Sequence, residues 1–388
     1  MMGTSNTAQI QFVTPVQLSL LRAGLLDAPM AAQALKDWFA LRQEESACGL
    51  EGLDPGSRRL LPLVYLNLKA SVPVGLRNEM RLIHHEYWAE NQRHLYYLEN
   101  LLGWFEKNNI PTLVLKGMAL SLLHYRDMAA RPMSDVDVLV PENRAQEAIA
   151  RLQENGWAPF LYDPNATKKS YFYRHTHAIP FKRSDHSTLD LHWHVLSEST
   201  FRGADEPFWS GSVPLVVRSI HTLTLNPTDQ LIHACVHGFR FNEIPSIRWV
   251  ADAVAILRTA AIDWTRLVDL AKHLQVTLPL AASLSFLRTT FPTPIPERVI
   301  DEMNAIRVDH AERRYFEALV HHNADWREVW AYNLERHRRA NRGRHPVFGA
   351  VTLPRQFQLH YNLPELKSLG SFAFSRFTKR LRKKVGLS

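Results

Sequence analysis

The sequence predicts an α/β protein with a central mixed sheet, flanked by N-terminal and C-terminal helical regions. Short apolar runs of strand length, such as Leu113–Leu115, lie near the middle of the chain. Stretches of helix length, with apolar residues at three- and four-residue intervals, come before and after them. Helices also separate the predicted strands, which favours an α/β sheet. The predicted parts are an N-terminal helical region (1–109), a core (110–215), a C-terminal helical domain (216–330) and a basic C-terminal tail (331–388).

The composition predicts a soluble globular protein. The 388 residues are 46% hydrophobic and 22% charged, enough for two or three compact units. No apolar run approaches the ~20 residues of a membrane span, and the N-terminus lacks the pattern of a secretory signal. Cys48 and Cys235 are isolated, so we expect no disulfide framework and a cytoplasmic location. The net charge of +8 favours anionic partners such as nucleotides, nucleic acid or acidic lipid.

The N-terminal region has helical patterns at residues 15–26, 31–43, 58–68 and 76–107. The last is the strongest and ends at the Asn108-Asn109-Ile110-Pro111 break. This region is either a scaffold alone or a cap that also contributes to the site.

The core opens with a strand, a glycine-containing turn, a helix and a second strand within residues 110–140. The turn is Lys116-Gly117, the helix covers residues 118–125 and the second strand residues 136–140. Asp135 and Asp137 are two residues apart, so in a strand they lie on the same face. Their like charges would repel without a cation between them, and carboxylate oxygens suit Mg²⁺.

The rest of the core is predicted to hold one more helix and two more strands. Pro141 begins a helix over residues 144–155, which Gly156 ends. Residues 171–182 alternate like a strand, and residues 188–196 form the returning strand. The returning strand carries three polar side chains on one face: Asp190, His192 and His194.

The stretch from residue 110 to 195 resembles the nucleotidyltransferase superfamily, whose fold is named for DNA polymerase β. The resemblance rests on Lys116-Gly117-Met118 after a strand, Asp135-Val136-Asp137 in the next strand, and Asp190 as the third acid. The sequence around these motifs is most similar to a bacterial subfamily described only as uncharacterised nucleotidyltransferases. Met118 departs from the pattern, which has a small hydroxyl residue there.

The resemblance implies that Asp135, Asp137 and Asp190 are catalytic and hold Mg²⁺, with Mn²⁺ as an alternative. Asp185 and Glu198 are nearby alternatives for the third acid. Six residues are predicted to bind the nucleotide: Lys116, Gly117, Met118, Arg131, Ser134 and Arg248. Arg248-Trp249 and Asp252 also resemble the subfamily's pattern of an arginine and an aspartate flanking an aromatic residue.

Several histidines lie two or four residues apart in the sequence. His177, His192 and His194 are predicted to line the active site, while pairing of His175 with His177 and of His192 with His194 also leaves a transition-metal site open. His233 and His237 lie four apart on a predicted helix, and we interpret them as core histidines.

The C-terminal part has helical patterns at residues 228–239, 247–258, 264–274, 280–290 and 296–306. The resemblance implies that such a domain helps to hold the nucleotide base. Basic residues are concentrated at 336–345, and residues 371–385 form a basic amphipathic pattern around Phe374 and Phe377. That pattern is either a surface for an acidic partner or a membrane, or a solvated end.

The leading hypothesis is a metal-dependent nucleotidyltransferase that moves a nucleoside monophosphate from an NTP to a small-molecule, peptide or protein acceptor and releases pyrophosphate. One alternative is a catalytically weak nucleotide-binding regulatory module. The other is a tRNA- or RNA-directed nucleotidyltransferase toxin, although nucleic acid is not the favoured partner. The chain lacks a Walker-type phosphate loop, a dinucleotide fingerprint and a Gly-x-Ser-x-Gly elbow, which disfavours the enzyme classes that depend on them.

Overall fold

A computed structural model describes most of the chain. The described residues are 12–44, 49–160, 169–239, 247–320, 326–342, 346–361, 363 and 365–371.

Four helices precede the sheet: α1 (Pro15–Leu25), α2 (Ala28–Glu44), α3 (Pro55–Leu68) and α4 (Val74–Lys107). Side-chain caps begin two of them, because the Thr14 hydroxyl accepts from the Gln17 N–H and the Asp54 carboxylate accepts from the first turn of α3. The long helix α4 ends at the predicted Asn108-Asn109 break, where Asn109 has a φ of +53°. The predicted helical character of this region is confirmed.

The described strands form one mixed sheet of seven. They are β1 (Leu113–Leu115), β2 (Val136–Leu139), β3 (Ala158–Pro159), β4 (Ala178–Lys182), β5 (Thr188–His192), β6 (Val213–Val217) and β7 (Ile220–Thr224). Their order is β3-β4-β5-β2-β1-β7-β6. β1 pairs antiparallel with β2 and parallel with β7, and β2 pairs parallel with β5. The predicted α/β class with a mixed sheet is therefore confirmed, and the sheet runs past the predicted core boundary at residue 215.

The central strands are buried on both faces, and the two faces carry different side chains. Val136 and Val138 pack in a cluster with α4 and with α6 (Ala145–Glu154). Leu139 belongs to the other cluster, which contains the helices that follow the sheet. Because side chains alternate along a strand, Asp137 shares the face of Leu139 and lies toward those later helices.

The short helices within the core are α5 (Lys116–His124), α6, α7 (Lys169–His175) and α8 (Glu206–Ser210). The prediction of a strand over residues 171–182 is wrong in its first half, which belongs to α7. Tyr171 and Phe172 are buried there, and the Tyr171 hydroxyl lies 3.0 Å from Nδ1 of His337. Contacts with a distant helix therefore favour a helical turn over the strand that alternation predicts.

Helices dominate the C-terminal part. They are α9 (Pro227–Gly238), α10 (Arg248–Thr259), α11 (Trp264–Leu274), α12 (Thr277–Thr290), α13 (Glu297–Ala305), α14 (His310–Val320), α15 (Trp326–Ala340) and α16 (Pro346–His360). The Asn226 side chain caps α9 by accepting from the Asp229 N–H. α9, α10 and α12 pack in one core cluster with α1 and α3, so N-terminal and C-terminal helices share a core.

Residues 331–340 and 346–360, assigned from the sequence to a basic tail, lie in α15 and α16, which pack on the rest of the chain. Arg339 is buried, and its guanidinium donates to the carbonyl oxygens of Glu198, Leu274 and Gln275. One arginine of the charge-rich segment at 336–345 therefore joins separate parts of the chain. Apart from Ser371, the amphipathic pattern at 371–385 lies outside the described residues. In the part of the chain that the structure covers, no helix is long and apolar enough to cross a membrane.

Candidate active site

Two of the predicted acids lie side by side on the central strands. Asp137 of β2 is the direct register partner of Asp190 of β5, and the two strands are parallel. One ligand atom from each of Asp137, Asp190 and His192 lies within 4.8 Å of the other two. Elsewhere in the described ranges, no other three His, Cys, Asp or Glu side chains meet in this way. The strands therefore supply two oxygen donors and one nitrogen donor to a single position.

Lys116 provides the positive charge at this position. Its Nζ lies 2.6 Å from Oδ1 of Asp137 and 3.3 Å from Nε2 of His192, which is itself 3.0 Å from the same oxygen. Burial alone would raise the pKa of Asp137, but the Lys116 charge and the His192 contacts outweigh it and hold that pKa below its usual range. Asp137 is therefore an ionised carboxylate with two partners.

Asp135 lies just before β2 and is not one of the three closest donors. It lines the same cavity as Asp137 and Asp190. Burial, followed by the Asp137 charge, raises the pKa of Asp135, and the Lys116 charge opposes this. A cation near these carboxylates would favour the charged form of Asp135, as expected of a metal-binding position.

The loop that precedes the acids is fixed by groups from distant helices. Asn91 of α4 is fully buried, donates to the carbonyl oxygens of Met128 and Arg131, and accepts from the Met133 N–H. Nη1 of Arg248 donates to the Pro132 carbonyl oxygen at 2.9 Å. Helices before and after the sheet thus position the segment that leads into β2.

Arg131 forms a buried ion pair with Asp252 of α10. Its Nε and Nη2 donate to the two carboxylate oxygens at 3.1 and 2.8 Å, and the Tyr125 hydroxyl donates to the same carboxylate. Burial would lower the pKa of Arg131, but Asp252 raises it above the usual value. Arg131 lines the cavity, yet its Nε–H and one N–H of Nη2 are occupied, so a nucleotide contact would use Nη1 or the remaining N–H of Nη2.

The remaining predicted nucleotide-binding residues have different surroundings. Ser134 is exposed at the cavity, and Arg248 lines it. Burial and the neighbouring Arg131 charge lower the pKa of Arg248 to about 10, so it stays cationic at neutral pH. The Met118 side chain is buried in the cluster that contains α4, so a nucleotide contact at this position would have to use the backbone N–H.

Gly117 is required by the packing of Arg131 and Met133. A Cβ atom at Gly117 would lie 2.8 Å from Nη1 of Arg131 and 3.3 Å from Cβ of Met133. Lys116, immediately before it, has a φ of +43°, which is unusual for a residue with a side chain. The tight turn at the start of α5 therefore depends on glycine for a reason within the fold, in addition to any approach of a ligand.

Gly117→Ala is expected to lower the free energy of unfolding by about 1–3 kcal/mol, because the added methyl group must displace a guanidinium held by two hydrogen bonds. Urea unfolding measures this change. Gly75→Ala is the matched control, since nothing lies within 4 Å of a Cβ atom there, and it should leave stability unchanged or slightly higher. Equal stabilities for the two variants would contradict the packing argument.

The histidines predicted to line the active site or bind a metal lie in different surroundings in the structure. His192 joins the acids, and the His177 ring packs edge-on against it with centroids 5.4 Å apart. Nδ1 of His194 lies 2.6 Å from the Asp205 carboxylate, and His194 does not line the cavity. His175 stacks on Tyr171 of α7, with centroids 3.7 Å apart. The two histidine pairs therefore do not meet as a four-histidine metal site, because the strand predicted over residues 171–182 begins later and the β5 strand ends at His192.

A cavity of about 210 Å³ connects the acids to the later helices. His233 and His237, interpreted from the sequence as core histidines, contribute to its wall, as do Gln230 and Trp249. Helical periodicity places these residues on α9 and α10, but it does not indicate which helix faces border a cavity rather than the core.

No curated protein matches the chain. The lincomycin-bound structure of the lincosamide antibiotic adenylyltransferase LnuA is 14% identical over 43% of this chain and 97% of that chain, with a TM-score of 0.29. An antigenic nucleotidyltransferase-like protein from Paracoccidioides brasiliensis is 13% identical over 56% and 96%, with a TM-score of 0.34.

A family model described as "Uncharacterised nucleotidyltransferase" matches residues 57–292, more than half of the chain. The matched range includes the Lys116-Gly117 turn, the acids of β2 and β5, and helices α9 and α10. The chain belongs to this family of uncharacterised nucleotidyltransferases, which confirms the resemblance that its motifs indicate.

Proposed function

We propose that this chain moves a nucleoside monophosphate from an NTP to an acceptor and releases pyrophosphate, with a divalent cation at Asp137 and Asp190. Family membership supports nucleotidyl transfer in general. The observation that carries the specific proposal is the register of β2 and β5, which sets the two carboxylates directly beside each other in a cavity that also holds Lys116.

The donor set suits a divalent cation. Asp137, Asp190 and His192 supply ligand atoms within 4.8 Å of one another, and Asp135 adds a carboxylate at the cavity wall. Carboxylates favour Mg²⁺ or Mn²⁺, and an imidazole nitrogen is better suited to Mn²⁺ than to Mg²⁺. A bound cation would neutralise charge on the reacting phosphate and fix the orientation of the oxygens around it.

The triphosphate would bind at the start of α5. The cap residue Leu115 makes no side-chain hydrogen bond to the first turn of this helix, which leaves the N–H groups there for phosphate oxygens. Lys116 would exchange Asp137 for a phosphate oxygen, and Arg248 would add a second positive charge at the cavity. Met118 takes part through its backbone, since its side chain is buried.

Asp190 is the group proposed to receive the proton of the acceptor. It is half-buried at the cavity and lies beside Asp137. In the reaction, the acceptor oxygen or nitrogen forms a bond to the α-phosphorus while the bond from that phosphorus to pyrophosphate breaks. The proton lost by the acceptor passes to the Asp190 carboxylate. We propose a small-molecule, peptide or protein acceptor.

The test is transfer of label from α-labelled NTPs, each base in turn, with Mg²⁺ or Mn²⁺ and with chelator as the control. Host RNA, host protein and a small-metabolite extract serve as acceptors. We expect label in the metabolite or protein fraction only when the cation is present. Label in RNA would instead support an RNA-directed enzyme. Binding of NTPs without transfer would support the regulatory module. The absence of both binding and transfer would refute the proposal.

Lys116→Met is expected to raise the affinity for Mn²⁺ in the absence of nucleotide by about tenfold, or about 1.4 kcal/mol. The reason is that the Lys116 ammonium occupies Oδ1 of Asp137, an oxygen proposed to bind the cation. Titration calorimetry with Mn²⁺ measures the change. Lys272→Met, on the surface of α11, is the control and should leave the affinity unchanged. Weaker Mn²⁺ binding by Lys116→Met would contradict this competition.

A further inference from the structure

The cavity extends beyond the acids into a region walled by rings, aliphatic side chains and one carboxamide. Its wall there is formed by Leu120, Leu225, Gln230, His233, His237 and Trp249. Helix α5 borders the cavity through Lys116 and Leu120 and ends at His124, which contacts Gln230. At 1.5 Å per residue, α5 spans about 12 Å between Lys116 and His124. The helix that links the Lys116 end of the cavity to the residue that contacts Gln230 is thus about as long as a ribose and a base.

Gln230 is held at one end of its carboxamide and lacks a partner at the other. Its side chain is 4% exposed, and its Oε1 lies 2.6 Å from Nε2 of His124. Nδ1 of His124 lies 2.6 Å from the Thr259 hydroxyl, so both ring nitrogens are engaged. Nε2 of Gln230 is buried, and within the described residues it has no hydrogen-bond partner. An unpaired buried amide is unfavourable unless a ligand or water completes it.

His124 fixes how this carboxamide is presented. Burial lowers the pKa of His124, which favours the neutral ring. A neutral imidazole has one donor and one acceptor nitrogen. The tautomer that forms against Thr259 therefore decides which end of the Gln230 amide contacts the ring, and the opposite end is left to contact a ligand. Gln230 is oriented by the protein and does not rotate freely.

Trp249 lines the same cavity and is held in place by packing. A Cβ atom at Gly238 would lie 2.5 Å from Cγ of Trp249, so the indole sits directly against the α9 backbone. Trp249 is 3% exposed, and among the described residues its Nε1–H has no partner. With the rings of His233 and His237, it gives this end of the cavity the flat aromatic walls that suit a planar heterocycle.

We propose that Gln230 hydrogen-bonds the edge of the nucleobase of the bound NTP and thereby determines which base the protein accepts. The inference rests on the proposed function, because it places the triphosphate at Lys116 and the base at the far end of the same cavity. A carboxamide distinguishes bases because it offers a donor and an acceptor that only some base edges match. His124 is a positioning residue that acts through Gln230.

The experiment compares equilibrium binding of the four NTPs and of inorganic tripolyphosphate, each with Mg²⁺ and without acceptor, by titration calorimetry. Gln230→Met keeps the side-chain length and removes the hydrogen bonds. It should weaken binding of the preferred NTP by about tenfold or more while leaving tripolyphosphate unchanged. Gln230→Glu keeps the shape but lacks the amide donor, so it should change the order of preference among the bases. Gln356→Met is the matched control for a buried glutamine remote from the cavity, and it should change neither.

Two outcomes would overturn the proposal without touching the proposed function. In one, folded Gln230→Met and Gln230→Glu bind all four NTPs as the wild type does. In the other, they lose NTP and tripolyphosphate equally, which would mean that Gln230 supports the cavity and does not contact the base. Failure of the proposed function is separate, since it would appear in the wild-type protein as no binding of any NTP and no transfer of label.

Discussion

Asp137→Asn is expected to lower the rate of nucleotidyl transfer by about a thousandfold or more. Stabilisation of phosphate charge by a bound cation contributes several kcal/mol to such reactions, and each 1.4 kcal/mol is a factor of ten in rate. Asp137 is suited to this role because it is 5% exposed and contacts both Lys116 and His192. The measurement is release of pyrophosphate under saturating NTP and Mg²⁺.

The loss should come from chemistry and cation binding rather than from unfolding. Thermal unfolding of the variant tests this, since the asparagine amide can still accept a hydrogen bond from Lys116. Asp185→Asn is the control at an acid in the turn between β4 and β5, where the carboxylate is exposed and bonds Arg183 and Ser187. The control should transfer at close to the wild-type rate. A folded Asp137→Asn protein with activity within tenfold of wild type would refute the assigned role.

Asp252→Asn is expected to lower the free energy of unfolding by about 3–5 kcal/mol, since it leaves the Arg131 guanidinium buried without its counter-ion. Both side chains of the pair are only 6% exposed, and they make two direct hydrogen bonds. Urea unfolding measures the change. Glu297→Gln serves as the control, because its ion pair with Arg288 is exposed and such pairs contribute about 1 kcal/mol or less.

A double variant tests whether the Arg131–Asp252 ion pair contributes to transfer as well as to stability. Arg131→Met combined with Asp252→Leu removes both charges and should recover most of the lost stability, as apolar replacements of buried pairs often do. Transfer should be lower than in the wild-type protein, because the loop before Asp135 would lose the ion pair that joins it to α10. A double variant as active as the wild-type protein would show that the ion pair contributes stability alone.

Local pattern in the sequence determined the main elements. Apolar periodicity indicated the helices before and after the sheet, and the alternation of acids with valines placed Asp137 on one face of β2. These features depend on neighbours within a few residues, so the sequence carries them directly. The family was recognisable for the same reason, since Lys116-Gly117 and Asp135-Val136-Asp137 are contiguous motifs. The roles assigned to the site residues remain predictions for the experiments above.

Tertiary structure alone decided which distant groups meet. The pairing of β2 with β5 sets Asp137 against Asp190 and brings His192 to the same position, whereas His194 lies past the end of the strand and bonds Asp205. Residues 171–175 are helical despite their alternating pattern, because contacts from α15 outweigh local preference.

The same limit applies to Gln230 and to Arg339. Gln230 lies on a helix that the sequence predicts, whereas Arg339 lies in the segment assigned to a basic tail. The hydrogen-bond partners of both side chains are 64 to 141 residues away in the chain. Which face of a helix meets a cavity and which meets the core depends on how several elements pack at once. That information is spread over the whole chain, so the motifs indicate the proposed chemistry, while only the packing shows which side chains line the cavity.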